Sequence, residues 1–255
     1  MKPQETRRTF LRKAALAGAG IPMIGTIAAE AAEKSIATGP VKGNVPVPLT
    51  INLFSKHLQF LDYEEMAEAT AGTGADGVDL VVRPGGHVLP ENVEKDLPRA
   101  AGAIRDAGLE LTMMTTAITD ADDPFTERIL KTASELEIRY YRMGWYPAGK
   151  REDIGKNLGM IRKKMGKLAG LNRKYGIHGA YQNHAGDYFG APVWDLWYVI
   201  RDLDPEWTGC QYDIRHATVE GANSWYMGLE MLKDHIRCLV IKDFHWEFRD
   251  DRWSI

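Results

Sequence analysis

Thr208-Gly-Cys-Gln-Tyr212 followed at once by Asp213-Ile-Arg-His216 is the stretch that decides the reading of this chain. A short β-like run ends on a carboxylate and an imidazole three residues apart, where a buried strand reaches the surface. An anionic oxygen and a neutral imidazole nitrogen are a ligand pair that Mn²⁺, Zn²⁺ or Co²⁺ accepts, and on one strand end both are expected to point at the same ion. The same strand-then-polar-cluster pattern recurs. Gln182-Asn183-His184 follows Ile177 to Tyr181, Lys242-Asp243-Phe-His245 follows Cys238 to Ile241, and Arg83-Pro-Gly-Gly-His87 follows Gly77 to Val82. Four such clusters describe the mouth of a barrel.

Spacing supports that architecture. Strand-like runs begin near Leu49, Gly77, Glu110, Ile138, Ile177, Gly209 and Cys238, so each strand-plus-helix unit takes about 28 to 39 residues, as in a (β/α)₈ barrel. Helical patterns fill the intervals at Tyr63 to Thr73, Glu94 to Ala107, Pro124 to Glu137, Lys156 to Tyr175, Val193 to Leu203 and Trp225 to His235. Gly108 and Gly176 close two of them, Asp62 and Asp123 stand where N-caps belong, and Pro124 takes a first helical position. Alternating strands and helices require parallel pairing, and a parallel sheet is covered on both faces, which explains apolar strands without clean alternation. A doubly wound sheet ranks second, because no Gly-rich phosphate fingerprint follows the first strand, Leu49 to Phe54.

The N-terminus carries a separate signal. Thr6-Arg7-Arg8-Thr9-Phe10-Leu11-Arg12 precedes the mildly apolar run Ala14 to Ala28, and Ala29-Glu30-Ala31 offers a cleavage site. This resembles a twin-arginine export leader over residues 1–31, followed by a Gly- and Pro-rich linker over residues 32–48 and the barrel domain over residues 49–255. The apolar run contains Gly18, Gly20, Pro22 and Gly25 and is too short for a stable membrane anchor. The expected partner at this end is the twin-arginine translocase, and the expected compartment is periplasmic or extracytoplasmic.

A net charge of −3 and a pI near 6.2 argue against a nucleic-acid partner, which favours a basic face. Lys156 to Lys174 is locally basic but has helical periodicity and reads as a solvated outer helix. Cys210 and Cys238 lie at or near the starts of neighbouring strands and read as free buried thiols.

The frame from Leu49 to Asp243 resembles the xylose isomerase-like TIM barrels, the sugar phosphate isomerase/epimerase superfamily that also includes endonuclease IV. Asp213-x-x-His216 is similar to the family's aspartate ligand and companion histidine after strand six. Tyr181-Gln182-Asn183-His184 is similar to its Glu-Asn-His after strand five, and Ile241-Lys242-Asp243 to its strand-seven ending. The chain departs from that pattern where Gln182 replaces a metal-binding glutamate and Val240 a histidine, and no eighth strand with its glutamate is legible before Ile255. The resemblance thus implies a TIM barrel truncated before strand eight, with a weakened ion site.

The resemblance implies a divalent ion, Mn²⁺, Zn²⁺, Mg²⁺ or Co²⁺, that chelates a sugar's carbonyl and hydroxyl oxygens while a proton moves between carbons or faces. The expected ligands are Asp213, His216 and Gln182, the last through a neutral amide oxygen. The expected acid/base residues are His184 and His216, because imidazole titrates near neutral pH. Expected substrate contacts on the βα loops are His57, Arg83, His87, Arg142, Trp145, Gln182 and Lys242, since Arg offers fixed donors and Trp an apolar platform for a pyranose. The function expected is an exported sugar isomerase or epimerase. Two alternatives stay open: a non-catalytic carbohydrate-binding barrel with a degraded metal site, and a lyase or hydrolase acting on oxidised glycosides by the same enolisation.

Overall fold

A computed structural model describes residues 49–243, 247–249 and 252–254. The leader and linker expected over residues 1–48, and His245, lie outside them. Seven strands form one sheet in sequence order, every neighbouring pair parallel: β1 (Asn52–Phe54), β2 (Gly77–Val82), β3 (Glu110–Thr116), β4 (Tyr140–Arg142), β5 (His178–Gln182), β6 (Thr208–Asp213) and β7 (Ile236–Val240). A doubly wound sheet reverses its strand order at a switch point, and this order has no reversal. The strands curl into an open barrel, an α/β TIM barrel lacking the eighth strand among the described residues, with β1 and β7 as its edges. A separate antiparallel pair, β8 (Glu247–Arg249) and β9 (Arg252–Ser254), follows.

Among the described residues seven α-helices lie between the strands, the last two both between β6 and β7: α1 (Tyr63–Thr73), α2 (Val93–Asp106), α3 (Thr126–Glu135), α4 (Ile154–Tyr175), α5 (Val193–Ile200), α6 (Ile214–Gly221) and α7 (Trp225–Leu232). Helix α1 starts where the sequence says. The Asp62 carboxylate accepts from the Glu65 N–H at 2.8 Å, the Glu65 side chain answers the Asp62 N–H, and Gly74 closes the helix in the left-handed region at φ 78°. Helix α3 starts two residues later than Pro124, because Asp123 accepts from the Phe125 N–H at 2.9 Å in a turn that precedes the helix. Helix α6 is not foreseen by the sequence reading. It begins directly at the end of β6 with no intervening loop, and Asp213 is its N-cap.

Alternation hidden in the sequence becomes visible in the packing. Val78, Leu80 and Val82 of β2, Tyr141 of β4, Tyr181 of β5, and Cys210 and Tyr212 of β6 join the buried core between sheet and helices. The opposite parity therefore faces the barrel interior, and it carries Asp79, Arg142, Gln182, Gln211 and Asp213, all buried. Thr115 of β3 joins them, donating its hydroxyl to Asp79. On the outside, the basic face of α4 is answered by acidic groups: Lys164 meets Asp120 at 2.9 Å, Lys167 meets Asp122 at 2.5 Å and Lys174 meets Glu127 at 2.6 Å. That is the solvated outer helix the sequence indicates. Both cysteines are free, Cys210 buried and Cys238 partly so, and burial pushes the Cys238 thiol up to about 12, so neither is a nucleophile at neutral pH.

The interior leaves no room at Gly209. A Cβ there would lie 2.1 Å from the His235 carbonyl oxygen and 3.0 Å from the His178 ring. Gly209→Ala is expected to destabilise the fold by about 1–3 kcal/mol, the usual cost of overpacking, read as a lower urea midpoint. An unchanged midpoint would show that β6 and β7 are not so closely apposed.

Candidate functional site

The C-terminal ends of β5, β6 and β7 meet on one wholly buried carboxylate, that of Asp213. Its Oδ1 accepts the backbone N–H of His216 at 3.0 Å, the N-cap bond that starts α6. Its Oδ2 accepts from the Gln182 amide nitrogen at 2.7 Å and pairs with the Lys242 ammonium at 2.7 Å. Asn183, also wholly buried, holds the backbone of the same residue from both sides: its Oδ1 accepts the Asp213 N–H at 2.7 Å and its Nδ2 donates to the Asp213 carbonyl at 3.0 Å. Thus β5 delivers two side chains to β6 and fixes the carboxylate before any ligand arrives.

Two imidazoles lie beside it. The rings of His216 and His184 are 3.9 Å apart between centroids, and His184 in turn packs on Trp145 at 4.4 Å and on Tyr188 at 5.1 Å. Desolvation is the first cause that lowers both pKa values, that of His216 to about 4, against the pull of Asp213. Both rings are therefore neutral near pH 7. The His184 Nδ1 lies 2.8 Å from the Ala185 carbonyl, which can only accept, so Nδ1 carries the proton and Nε2 the lone pair. His216 faces two cations, Arg215 at 3.0 Å from Nδ1 and Lys242 at 3.0 Å from Nε2. A neutral imidazole has one lone pair, so only one of these contacts is a hydrogen bond.

Arg142 is 4% exposed and stacks its guanidinium over Trp145 at 4.3 Å. Its Nη2 donates to the Thr116 carbonyl at 3.3 Å, while Nε and Nη1, like the Trp145 indole nitrogen, are buried without a partner. Burial lowers its pKa to about 10, and it keeps its charge at neutral pH. Asp79 is a site residue that the sequence reading missed. Burial raises its carboxyl to about 6, opposed by the Thr115 hydroxyl bond and by Arg142 and Arg83. The available signal was a charged residue inside the otherwise apolar run Gly77-Val-Asp-Leu-Val-Val82.

The remaining expected contacts are more dispersed. Arg83 is half-buried on the loop after β2 and near enough for its charge to act on Asp79 and Arg142. His57 is exposed in the short 3₁₀ turn after β1, edge-on to Phe54. His87, expected to touch substrate, has both ring nitrogens engaged by protein groups, Ser55 Oγ and the Leu58 carbonyl, each at 3.2 Å. It braces the loops after β1 and β2 together. Asp213, His216, His184, Gln182, Trp145, Arg142 and Lys242 are brought together, and His57 and His87 are not part of that group.

A divalent ion needs several oxygens and imidazoles turned toward one centre. Among the described residues no group of three or more His, Cys, Asp and Glu side chains converges to hold one. Gln182 turns its amide nitrogen to Asp213 and serves that carboxylate as donor. The outward oxygen of Asp213 is already matched by an ammonium. The side chains as placed do not fit the ion expected on Asp213, His216 and Gln182.

A family model described as "Xylose isomerase-like TIM barrel" matches residues 67–254. No curated protein gives a match. Solved structures with the same fold include 3-keto-D-glucoside 4-epimerase from E. coli in its apo form, at 14% identity and a TM-score of 0.60, covering 75% of this chain and 78% of that one. A D-tagatose 3-epimerase-like protein matches at 16% identity and TM-score 0.56, covering 75% of each chain. A xylose isomerase-like TIM barrel protein from Mycobacterium smegmatis, in complex with magnesium, matches at 14% and 0.57, covering 75% of this chain and 70% of that one.

The Asp79 pKa gives a test with a definite sign. Its folded value, about 6, lies above the ordinary aspartate value of 3.8, so the native state holds the proton more tightly. That stabilisation is fully present below pH 3.8 and is lost as pH rises through 6, a swing of about 3 kcal/mol. Asp79→Asn, which imitates the protonated form, is expected to gain that much on wild type between pH 4 and pH 7, measured by urea unfolding at each pH. A constant difference across the range would place Asp79 in a less desolvated setting.

Proposed function

The chain belongs to the xylose isomerase-like TIM barrel family, and on that footing we propose that it is a sugar isomerase or epimerase acting on the carbonyl form of a free sugar or keto-sugar outside the cytoplasm. The single observation that supports this most is the meeting, at the strand ends, of a neutral imidazole base with cationic donors beside an aromatic ring. Enolisation needs the first two, and the ring serves to hold the sugar. A proton leaves the carbon next to the carbonyl for a base, and the C–H pair forms the carbon–carbon double bond as the carbonyl pair moves onto oxygen. A proton is then returned, by the same base to the neighbouring carbon in isomerisation or by a second acid or solvent to the other face in epimerisation. The His184 Nε2 lone pair is the proposed acceptor, since its Nδ1 proton is held on the Ala185 carbonyl. Trp145, tilted against His184 and covered in part by the Arg142 guanidinium, is the proposed apolar wall for the sugar's C–H groups. Arg142, with two unpartnered nitrogens, is the proposed donor to its hydroxyls.

The epimerase names of the solved structures above agree with this reading through the shared fold. A second reading, a carbohydrate-binding barrel without catalysis, is favoured by Gln182, which stands where the family resemblance implies a glutamate and donates to Asp213. A lyase or hydrolase acting on oxidised glycosides would use the same enolisation. Export through the twin-arginine route completes the proposal and is supported by Arg7-Arg8 with Phe10-Leu11 ahead of a short apolar run.

Proton exchange at the α-carbon in D₂O, followed by NMR over a panel of aldoses, ketoses and 3-keto-glycosides, separates these readings. Wild type is expected to exchange at least one of them, and His184→Gln to lower kcat by about 10²-fold or more, the usual worth of a general base. Saturable sugar binding with no exchange in the wild type would leave the binding barrel. For export, replacing Arg7 and Arg8 together by Lys is expected to retain the uncleaved protein in the cytoplasm, scored by fractionation. Normal export of that double variant would remove the localisation.

A further inference from the structure

The disagreement at Asp213 points to a built-in cation. We propose that the Lys242 ammonium holds the place at the Asp213 carboxylate that a divalent ion would otherwise take, so that this site works without a metal.

Three observations carry it. First, the charge is already balanced. Asp213 is wholly buried, its Oδ2 lies 2.7 Å from the Lys242 nitrogen, and the other near partners of the carboxylate, the Gln182 amide nitrogen and the His216 N–H, are neutral donors. One carboxylate is matched by one ammonium, whereas an ion of charge two would need further anions that the described residues do not supply there. Second, two of the residues at which the family resemblance implies further ligands, those on β5 and β7, are unable to act as strong ones. Gln182 offers only a neutral amide and turns its nitrogen, not its oxygen, toward Asp213, and the side chain of Val240, the register partner of Asp213 on β7, carries no ligand atom. Third, Lys242 stands two residues beyond Val240 and its ammonium also lies 3.0 Å from His216 Nε2, so it occupies the point where carboxylate and imidazole come closest.

An ammonium has three N–H donors. Asp213 takes one of them and His216, in the tautomer whose lone pair is on Nε2 and faces Lys242, takes a second, and the Lys242 side chain is 38% exposed at the barrel mouth. The third donor is the group that would meet the carbonyl oxygen of a sugar and stabilise the negative charge that develops on it. This last step rests on the isomerase reading, while metal independence does not.

The experiment has two arms on the full chain. In the first, Mn²⁺ and Zn²⁺ are titrated calorimetrically into protein dialysed against EDTA, and the Tm is measured with and without chelator. No saturable ion site, and a Tm that chelator leaves unchanged, are expected. One tightly held ion per chain, lost in Asp213→Asn, would overturn the proposal whether or not any sugar is turned over. In the second arm, α-carbon exchange of D-tagatose, or of whichever panel sugar exchanges fastest, is followed in EDTA. Exchange is expected to survive chelation, Lys242→Met to lower kcat by about 10²-fold with little change in KM, and Lys242→Arg to recover part of it. Full activity in Lys242→Met, or abolition of wild-type exchange by EDTA and its return with Mn²⁺, would overturn it. A wild type that exchanges no sugar removes the isomerase reading and leaves the first arm to decide. Should Lys242→Met fail to fold, the wild-type titration and the EDTA comparison still decide.

Discussion

Burying the Asp213 carboxylate is the constraint on which the mouth of this barrel depends. An unpaired carboxylate taken out of water is destabilising by several kcal/mol, so the groups that meet it are structural necessities before they are anything else. Gln182 and Asn183 come from β5, the His216 N–H from the first turn of α6, and Lys242 from just beyond β7. Three consecutive βα units are locked in register by one side chain. The imidazoles of His184 and His216, and through His184 the Trp145 and Arg142 pair, take their positions from that lock.

The frame was legible because it follows from periodicity and punctuation. Seven apolar runs at regular spacing give seven strands, and residues such as Asp62 and Gly176 mark helix ends by mechanisms that depend only on local backbone geometry. The chemistry was less legible, for two physical reasons. Asp79 and Arg142 sit within apolar or aromatic strand segments, and only the curl of the sheet turns their parity into a shared interior. In addition, a residue's partners across the fold do not show in its own neighbourhood. His87 reads as a loop histidine open to a ligand, yet Ser55 and the Leu58 carbonyl engage both of its nitrogens.

The stretch that decided the fold was itself only half understood from sequence. Asp213 and His216 do come together, but the i to i+3 spacing that suggested two ligands on one strand end is the spacing of an N-cap and the third residue of a helix. The carboxylate turns one oxygen back to the His216 backbone and leaves the other for Gln182 and Lys242. Capping and ion binding compete for the same lone pairs, and a sequence motif cannot say which takes them.

The charges of the interior also have a direction. Arg142, Arg83 and Lys242 stand against Asp213 and Asp79, and Asp79 is held partly protonated near neutrality because burial raises its carboxyl to about 6. Among these five groups the balance is therefore positive, although the chain as a whole carries −3. Fixed positive charge with unpartnered N–H groups, as at Arg142, is poorly solvated by the protein itself and is best satisfied by oxygen-rich, electron-accumulating groups. A sugar carbonyl passing through its enolate is such a group, and because the donors are already in place they need no rearrangement as the charge develops. The same bias disfavours a further cation in this interior, so the positive balance and the ammonium at Asp213 are one electrostatic arrangement seen at two positions.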